Sequence, residues 1–209
     1  MKLKTLASAL AIGFGTISAF AQTASVPVKI GSITDMSCLY AVRPVPAGGA
    51  MINWARPHFA GTVLGRPIKS HHADPRNTHA AASSKAREWM DKENVSMLVG
   101  GTNSGTSLAM AKVALEKKRP FISIGAGSAR LTNEDCTPYT VHYAYDTVSL
   151  AKVAANSLIK AGNKSWFFLT ADYAFGHSLA ADAATVVQAN GGTVLGASRH
   201  PLDPFEFSP

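Results

Sequence analysis

Three short stretches place small polar residues or glycines where a ligand or a reacting group would need them. Gly100-Gly101-Thr102-Asn103-Ser104-Gly105-Thr106 stands between an apolar run and a helix-forming one. Hydroxyl and amide side chains at a helix start accept from its free first-turn N–H groups. The same N–H groups, with the helix dipole behind them, can receive a carboxylate or phosphate. Capping and ligand binding both stay open for this stretch. Gly125-Ala126-Gly127-Ser128-Ala129-Arg130 follows another apolar run and begins like a dinucleotide-binding fingerprint. Its sixth position is Arg130 rather than glycine, and a polar loop follows in place of a helix, so a nucleotide site is not expected. A flexible loop, or glycines that let the backbone approach a small anion, are the readings left. The third stretch, "WFFLTADYAFGHSLAAD" from Trp166 to Asp182, ends a buried-looking strand in a turn with Tyr173 and Phe175 just before Gly176.

Catalytic patterns are weak. Gly176-His177-Ser178-Leu179-Ala180 looks like a nucleophile elbow with alanine at its last position. The elbow needs its serine on the sharp turn directly after a strand, whereas Ser178 lies well past Thr170 and inside an expected helix. His71, His72, Asp74 and His79 match no closed zinc spacing and have no cysteine near them. A polar strand-to-helix loop accounts for them, and no metal is expected. No Cys-His pair or pair of carboxylates stands out. The expectation is a protein that is not an enzyme and has no cofactor.

The elements that would position these stretches alternate. Strands are expected over Val28 to Thr34, Pro67 to His71, Val95 to Val99, Phe121 to Ile124, Tyr139 to Tyr145, Ser165 to Thr170 and Thr193 to Ala197. Helices are expected over Asn77 to Asp91, Ser104 to Lys117, Val148 to Ala161 with Asp146 as cap, and Gly176 to Asn190. This rhythm implies an α/β fold with a parallel sheet. The turns at Thr102 and Gly125 would then lie together at the carboxyl edge, where ligands bind in open α/β sheets. Ala41 to Gly61 fits poorly. It stands where the first crossover helix belongs but holds Pro44, Pro46 and Pro57, and an internal proline costs about 3 kcal/mol. That helix is expected to be short, kinked or absent.

Composition narrows the class. The 209 residues are 46% hydrophobic, enough for ordinary folded cores. Met1 to Ala21 has the basic start, apolar middle and Ala19-Phe20-Ala21 end of an export leader, with cleavage expected before Gln22. Removing Lys2 and Lys4 with the leader leaves 18 basic against 13 acidic residues, a net +5. The basic residues are scattered and not interleaved with aromatics, so no nucleic-acid partner is expected. Cys38 and Cys136 could pair in an exported chain, but nothing in their spacing brings them together.

Longer stretches carry a family resemblance. "VKIGSITDMS", "GTVLGRPI", "HADPRN", "KKRPFISIGAGSARLT", "CTPYTVHYAYDT", "WFFLTADYAFGHSLAADAATVVQANGGTVLG" and "RHPLDPFEFS" resemble the periplasmic substrate-binding proteins of branched-chain amino acid and amide-type ABC transporters, in the amino-terminal half of that family. The resemblance implies a two-lobed clamp with Rossmann-like lobes. A first lobe would run over 22–141, an incomplete second lobe over 142–209, and the first crossover between them over Tyr139 to Tyr145. It implies a ligand carboxylate held by Thr102, Asn103 and Ser104 and by Gly125, Ala126, Gly127 and Ser128, with Phe175, and beside it Tyr173, lining the cleft. Binding would be non-covalent and the partner a membrane permease of the ABC type; the protein would act as a periplasmic monomer. Family members run to about twice this length, so the sequence has the look of a truncated member, and the acidic group that would hold a ligand ammonium falls beyond Pro209. Cys38 stands where the family usually has glycine. The functions expected are capture of a small amino acid or amide-like ligand for uptake, or a truncated remnant that does not bind. An exported α/β hydrolase and a ligand-sensing receptor domain are the alternatives.

Overall fold

The computed structural model describes residues 25–37, 39–40, 47–58 and 60–202. The expected leader, Cys38, Pro44, Pro46 and the segment after Leu202 lie outside these residues. Among the described residues eight strands and five helices follow one another as β1 (Val28–Ile33), α1 (Ala47–His58), β2 (Thr62–Val63), β3 (Arg66–Ala73), α2 (His79–Asp91), β4 (Met97–Gly100), α3 (Ser104–Lys117), β5 (Phe121–Ser123), β6 (Thr140–His142), α4 (Thr147–Lys160), β7 (Ser165–Ala171), α5 (Ala174–Ala189) and β8 (Thr193–His200). A short 3₁₀ turn covers Ala129–Leu131.

Six strands form one sheet in the order β2-β3-β1-β4-β5-β6, and β7-β8 form a second. All pairings are parallel except β2 with β3. The chain leaves β1 for β3 on one side and returns to β4 on the other, so the strand order reverses beside β1. That reversal opens a crevice at the carboxyl ends of β1 and β4.

The core explains why the strands sit so close to their helices. Ile33, Leu98 and Phe121 from three neighbouring strands meet Ala82, Ala86, Trp89 and Met90 of α2 and Met110, Val113 and Ala114 of α3. Gly31 lets Trp89 lie against the sheet: a Cβ there would come within 2.7 Å of the indole and 2.9 Å of Leu98. A smaller cluster of Ala155, Ile159 and Val187, with Trp166 and Val194, joins α4 and α5 to the second sheet. Phe167 and Leu169 alternate with the inward residues of β7 and are largely exposed.

Two elements differ from the sequence reading. Ala47–His58 is a helix of 12 residues, with Pro57 in its last turn. There the proline removes one intrahelical bond, to the carbonyl of Asn53, with a single helical residue left after it. The chain then closes with Gly61 N–H donating to Arg56 O at 2.8 Å and Ala60 N–H to Pro57 O at 3.1 Å, the paired bonds of a left-handed helix stop. The β2–β3 hairpin was not expected. Its two-residue loop, Leu64-Gly65, has φ of 49° and 72°, the left-handed pair that suits tight hairpins. A leucine hides that turn from sequence reading.

Gly31→Ala is expected to cost about 1–3 kcal/mol by overpacking. Urea unfolding would show this as a lower midpoint with an unchanged slope.

Candidate functional site

The carboxyl ends of β1, β4 and β5 are tied together by buried hydrogen bonds. Gly101 N–H donates to Ile33 O at 3.0 Å, and Ile124 N–H to Gly100 O at 3.0 Å. Gly100 and Gly101 turn the chain here with φ of 138° and 77°, a region that favours glycine. A Cβ on Gly100 would overlap the Ile33 carbonyl. Asp35 N–H, just beyond β1, donates to Thr102 Oγ1 at 2.8 Å.

Helix α3 starts where this turn ends. Asn103 is its N-cap, and its Oδ1 accepts from Thr106 N–H at 2.8 Å. Ser104 Oγ accepts from Ser128 N–H at 3.1 Å, so the second glycine-containing turn is pinned to the helix start. Ser128 Oγ in turn meets Ser178 Oγ of α5 at 2.6 Å. Gly125 is small for a structural reason: a Cβ would lie 3.1 Å from the carbonyl oxygens of Gly101 and Thr102. At Gly127 a Cβ would come within 2.7 Å of the Tyr145 ring and 2.8 Å of the Phe175 ring.

A cavity of about 360 Å³ opens among these groups. It is lined by Thr102, Asn103, Ser104, Gly125 and Gly127 from the two turns, by Tyr173 and Phe175 from the second-sheet turn, and by Leu39, Tyr40 and Tyr145. Of the nine residues singled out from the sequence, seven therefore line one cavity. Ala126 and Ser128 do not line it. Both are fully buried: Ala126 packs in the first core, and its carbonyl meets His142 Nε2 at 2.6 Å. The side chains of Thr102, Asn103 and Ser104 are already engaged with protein N–H groups. In these bonds the side-chain oxygens accept, so the Thr102 and Ser104 hydroxyls and the Asn103 amide keep hydrogens to donate, and backbone N–H of Ser104 and Gly105 at the first turn of α3 has no carbonyl within the helix to meet. Leu39, Tyr40 and Tyr145 escaped the sequence reading. Tyr40 follows β1 by a few residues, so the strand-order reversal was the signal that could have found it; Tyr145 lay inside the expected crossover.

Other sequence features resolve otherwise. His177 Nε2 meets Asp172 Oδ1 at 2.6 Å, but Ser178 bonds Ser128, and adjacent helical residues point about 100° apart. The three do not form a relay. Among the described residues no group of histidine, cysteine or acidic side chains could hold a metal. His79 packs where a Cβ on Gly105 would overlap its ring, and His72 Nε2 lies 3.3 Å from Asn53 Nδ2. Cys136 is an exposed free thiol. No helix among the described residues is long and apolar enough to cross a membrane.

Asp35 is the buried charge beneath the site. It is fully buried; Oδ1 accepts from Asn77 N–H at 2.5 Å, and Oδ2 has no partner. Burial pushes its carboxyl above the usual value, against the Asn77 bond, and nearby Asp74 adds to the rise.

A sheet that reverses at β1, with a cavity between its carboxyl edge and an aromatic turn, has clear relatives. The family model described as periplasmic binding protein matches residues 27–209. The chain belongs to the periplasmic binding protein family. A periplasmic binding protein from Burkholderia mallei is 56% identical, with a TM-score of 0.83 over 87% of this chain and 48% of its own. A branched-chain amino acid ABC transporter periplasmic ligand-binding protein from Burkholderia xenovorans LB400 is 30% identical, with a TM-score of 0.70 over 86% and 48%. A solute-binding protein of an ABC transporter from Rhodopseudomonas palustris BisB5, solved with 3,4-dihydroxybenzoic acid, is 26% identical, with a TM-score of 0.74 over 84% and 48%. This chain thus spans about half the length of these solved relatives. No curated protein matches it significantly. Proteins of this family bind solutes and are not enzymes.

For Asp35 the raised carboxyl fixes the sign of a pH effect. A folded-state value above the unfolded one gives stability that is full below about pH 3.9 and is lost as pH rises through the folded value. Asp35→Asn removes that loss. The stability of Asp35→Asn relative to the parent is expected to rise between pH 4 and pH 7 in urea titrations; a pH-independent difference would contradict a raised Asp35.

Proposed function

We propose that this chain is the ligand-capturing part of an extracytoplasmic solute-binding protein, taking a small amino acid or amide-like ligand between two lobes for delivery to an ABC permease in the inner membrane. In this reading residues 1–21 are a cleaved export leader to the periplasm. The first lobe is 22–141, and 142–209 begin a second lobe, in a monomeric protein. The observation that carries it is the cavity itself. Strand-end turns of the first sheet form one wall, and Tyr173 and Phe175, from the turn after β7, form the other.

The physical fit supports capture without chemistry. First-turn N–H groups on α3 supply donors to an acidic group, and aromatic side chains supply apolar surface. Contact between Gly127 and the Tyr145 and Phe175 rings joins the two walls. A clamp of this kind closes around its ligand and presents the closed form to a partner. The name of the Burkholderia xenovorans relative, a branched-chain amino acid ligand-binding protein, supports an amino acid among the solutes to try. The hydrolase alternative finds no support, because Ser178 is paired with Ser128.

Thermal unfolding of the full chain against a panel of amino acids, amides and small carboxylates tests this. A true ligand at about 100 times its Kd adds about 2.7 kcal/mol, seen as a midpoint that climbs with concentration. Gly127→Val, which crowds the aromatic wall, is expected to weaken that ligand at least about tenfold. A midpoint that no solute in the panel moves would contradict the reading.

A further inference from the structure

The loop of the β2–β3 hairpin holds a residue that neither its conformation nor its packing explains. Leu64 has φ of 49°, a region that is costly for a side chain with a Cβ and that Asn or Gly fills readily. It is also 96% exposed, so burial gives nothing in return. Val63 beside it is exposed as well, and Trp54 of α1 is 67% exposed, with its ring centroid 4.2 Å from that of His58. The end of α1 is tied to the hairpin: Gly61 N–H donates to Arg56 O at 2.8 Å, and Ile68 N–H to Gly61 O at 2.8 Å. These exposed apolar residues therefore belong to one pole of the first sheet.

The charge around them has one sign. Every charged residue from Met36 to Ala73 is basic, and this stretch supplies α1, β2 and β3. Arg56 stands in the last turn of α1, and Arg66 and Lys69 lie in the first half of β3. Arg66 donates from Nε to Val26 O at 2.7 Å, a neutral partner that leaves its charge in place. From the hairpin β3 runs through 8 residues, about 26 Å, before Ala73 reaches the register of Ile33, whose carbonyl meets the turn beside the cavity. Contact at the hairpin thus leaves the cavity free.

A basic surface with apolar side chains at its tip matches an anionic bilayer in two ways at once. Cations attract its headgroups, and Trp and Leu enter the boundary between headgroups and acyl chains. An acidic protein would use the cations and leave Leu64 idle. We propose that the end of α1 and the β2–β3 hairpin form a docking surface for anionic lipid, with Leu64 and Trp54 entering the headgroup layer and Arg56, Arg66 and Lys69 held to its phosphates. The surface is separate from the cavity and does not rest on the reading of the cavity as a ligand site.

Co-sedimentation of the full chain with phosphatidylglycerol vesicles, against phosphatidylcholine vesicles, tests it. Binding to phosphatidylglycerol is expected to be at least about tenfold tighter, and to lose that margin near 1 M salt, where the screening length is about 3 Å. Leu64→Asn suits the left-handed turn; it is expected to keep the unfolding midpoint and weaken vesicle binding about tenfold. Trp54→Gln is expected to act alike, and Lys69→Gln to cost about fivefold. No binding to phosphatidylglycerol, or equal binding to both lipids, would overturn the proposal. So would binding equal in the parent and all three variants, as an apolar leader alone would give. Polyglutamate bound as tightly as the vesicles, with no loss in Leu64→Asn, would assign the surface to an acidic chain and overturn the lipid. A concentration-dependent dimer abolished by Leu64→Asn would overturn it in favour of a second copy.

Discussion

The hydrogen bond from Ser128 N–H to Ser104 Oγ holds the site together. It is buried at both ends, so breaking it would leave a donor without a partner, at about 1–3 kcal/mol. It fastens the glycine-containing turn after β5 onto the start of α3. With that turn fixed, Gly127 is delivered to the Tyr145 and Phe175 rings, and Ser128 Oγ reaches Ser178 on α5. The contact between the two walls thus depends on Ser104, whose Oγ accepts this bond and which also lines the cavity. The same economy runs through the neighbouring turn. Thr102 holds the end of β1 through Asp35, and Asn103 caps α3. Small polar residues build the frame of the cavity that they also line.

This double role of small polar residues bears on what the sequence could and could not reveal. Ser104–Lys117 was legible to the residue, because the Asn103 cap, the apolar spacing and Lys117-Lys118 at the end agree. The alternation of strands and helices was legible for the same reason, as was the Asp146 cap of α4. Strand ends were less so. The strand expected over Tyr139 to Tyr145 is only Thr140–His142, since β-rich composition does not say where a neighbouring strand stops. The β2 hairpin and the complete last turns of α1 depend on left-handed residues at Leu64 and Ala60, types that do not advertise such turns.

The site divides along the same line. Spacing placed the two strand-end turns at one sheet edge, because strand order alone brings them there. It could not tell which residues of Gly125-Ala126-Gly127-Ser128 face the opening. Alternation decides that: Gly125 and Gly127 line the cavity, while Ala126 packs in the core and Ser128 is buried against Ser178 of α5. Nor could it give the reason for Gly125, which is the approach of the Gly101–Thr102 backbone rather than of a ligand. Tyr40 and Tyr145 belong to the cavity through tertiary contacts that no local pattern encodes.

The central claim is that the cavity between the start of α3 and the Tyr173–Phe175 turn holds the ligand. A crystal structure of the protein, purified without unfolding and grown with its tightest-binding solute, tests this most directly. The account predicts density within hydrogen-bond distance of the Ser104 and Gly105 N–H groups, packed against Phe175. Density for the bound solute elsewhere on the protein, with this cavity filled only by water, would contradict it.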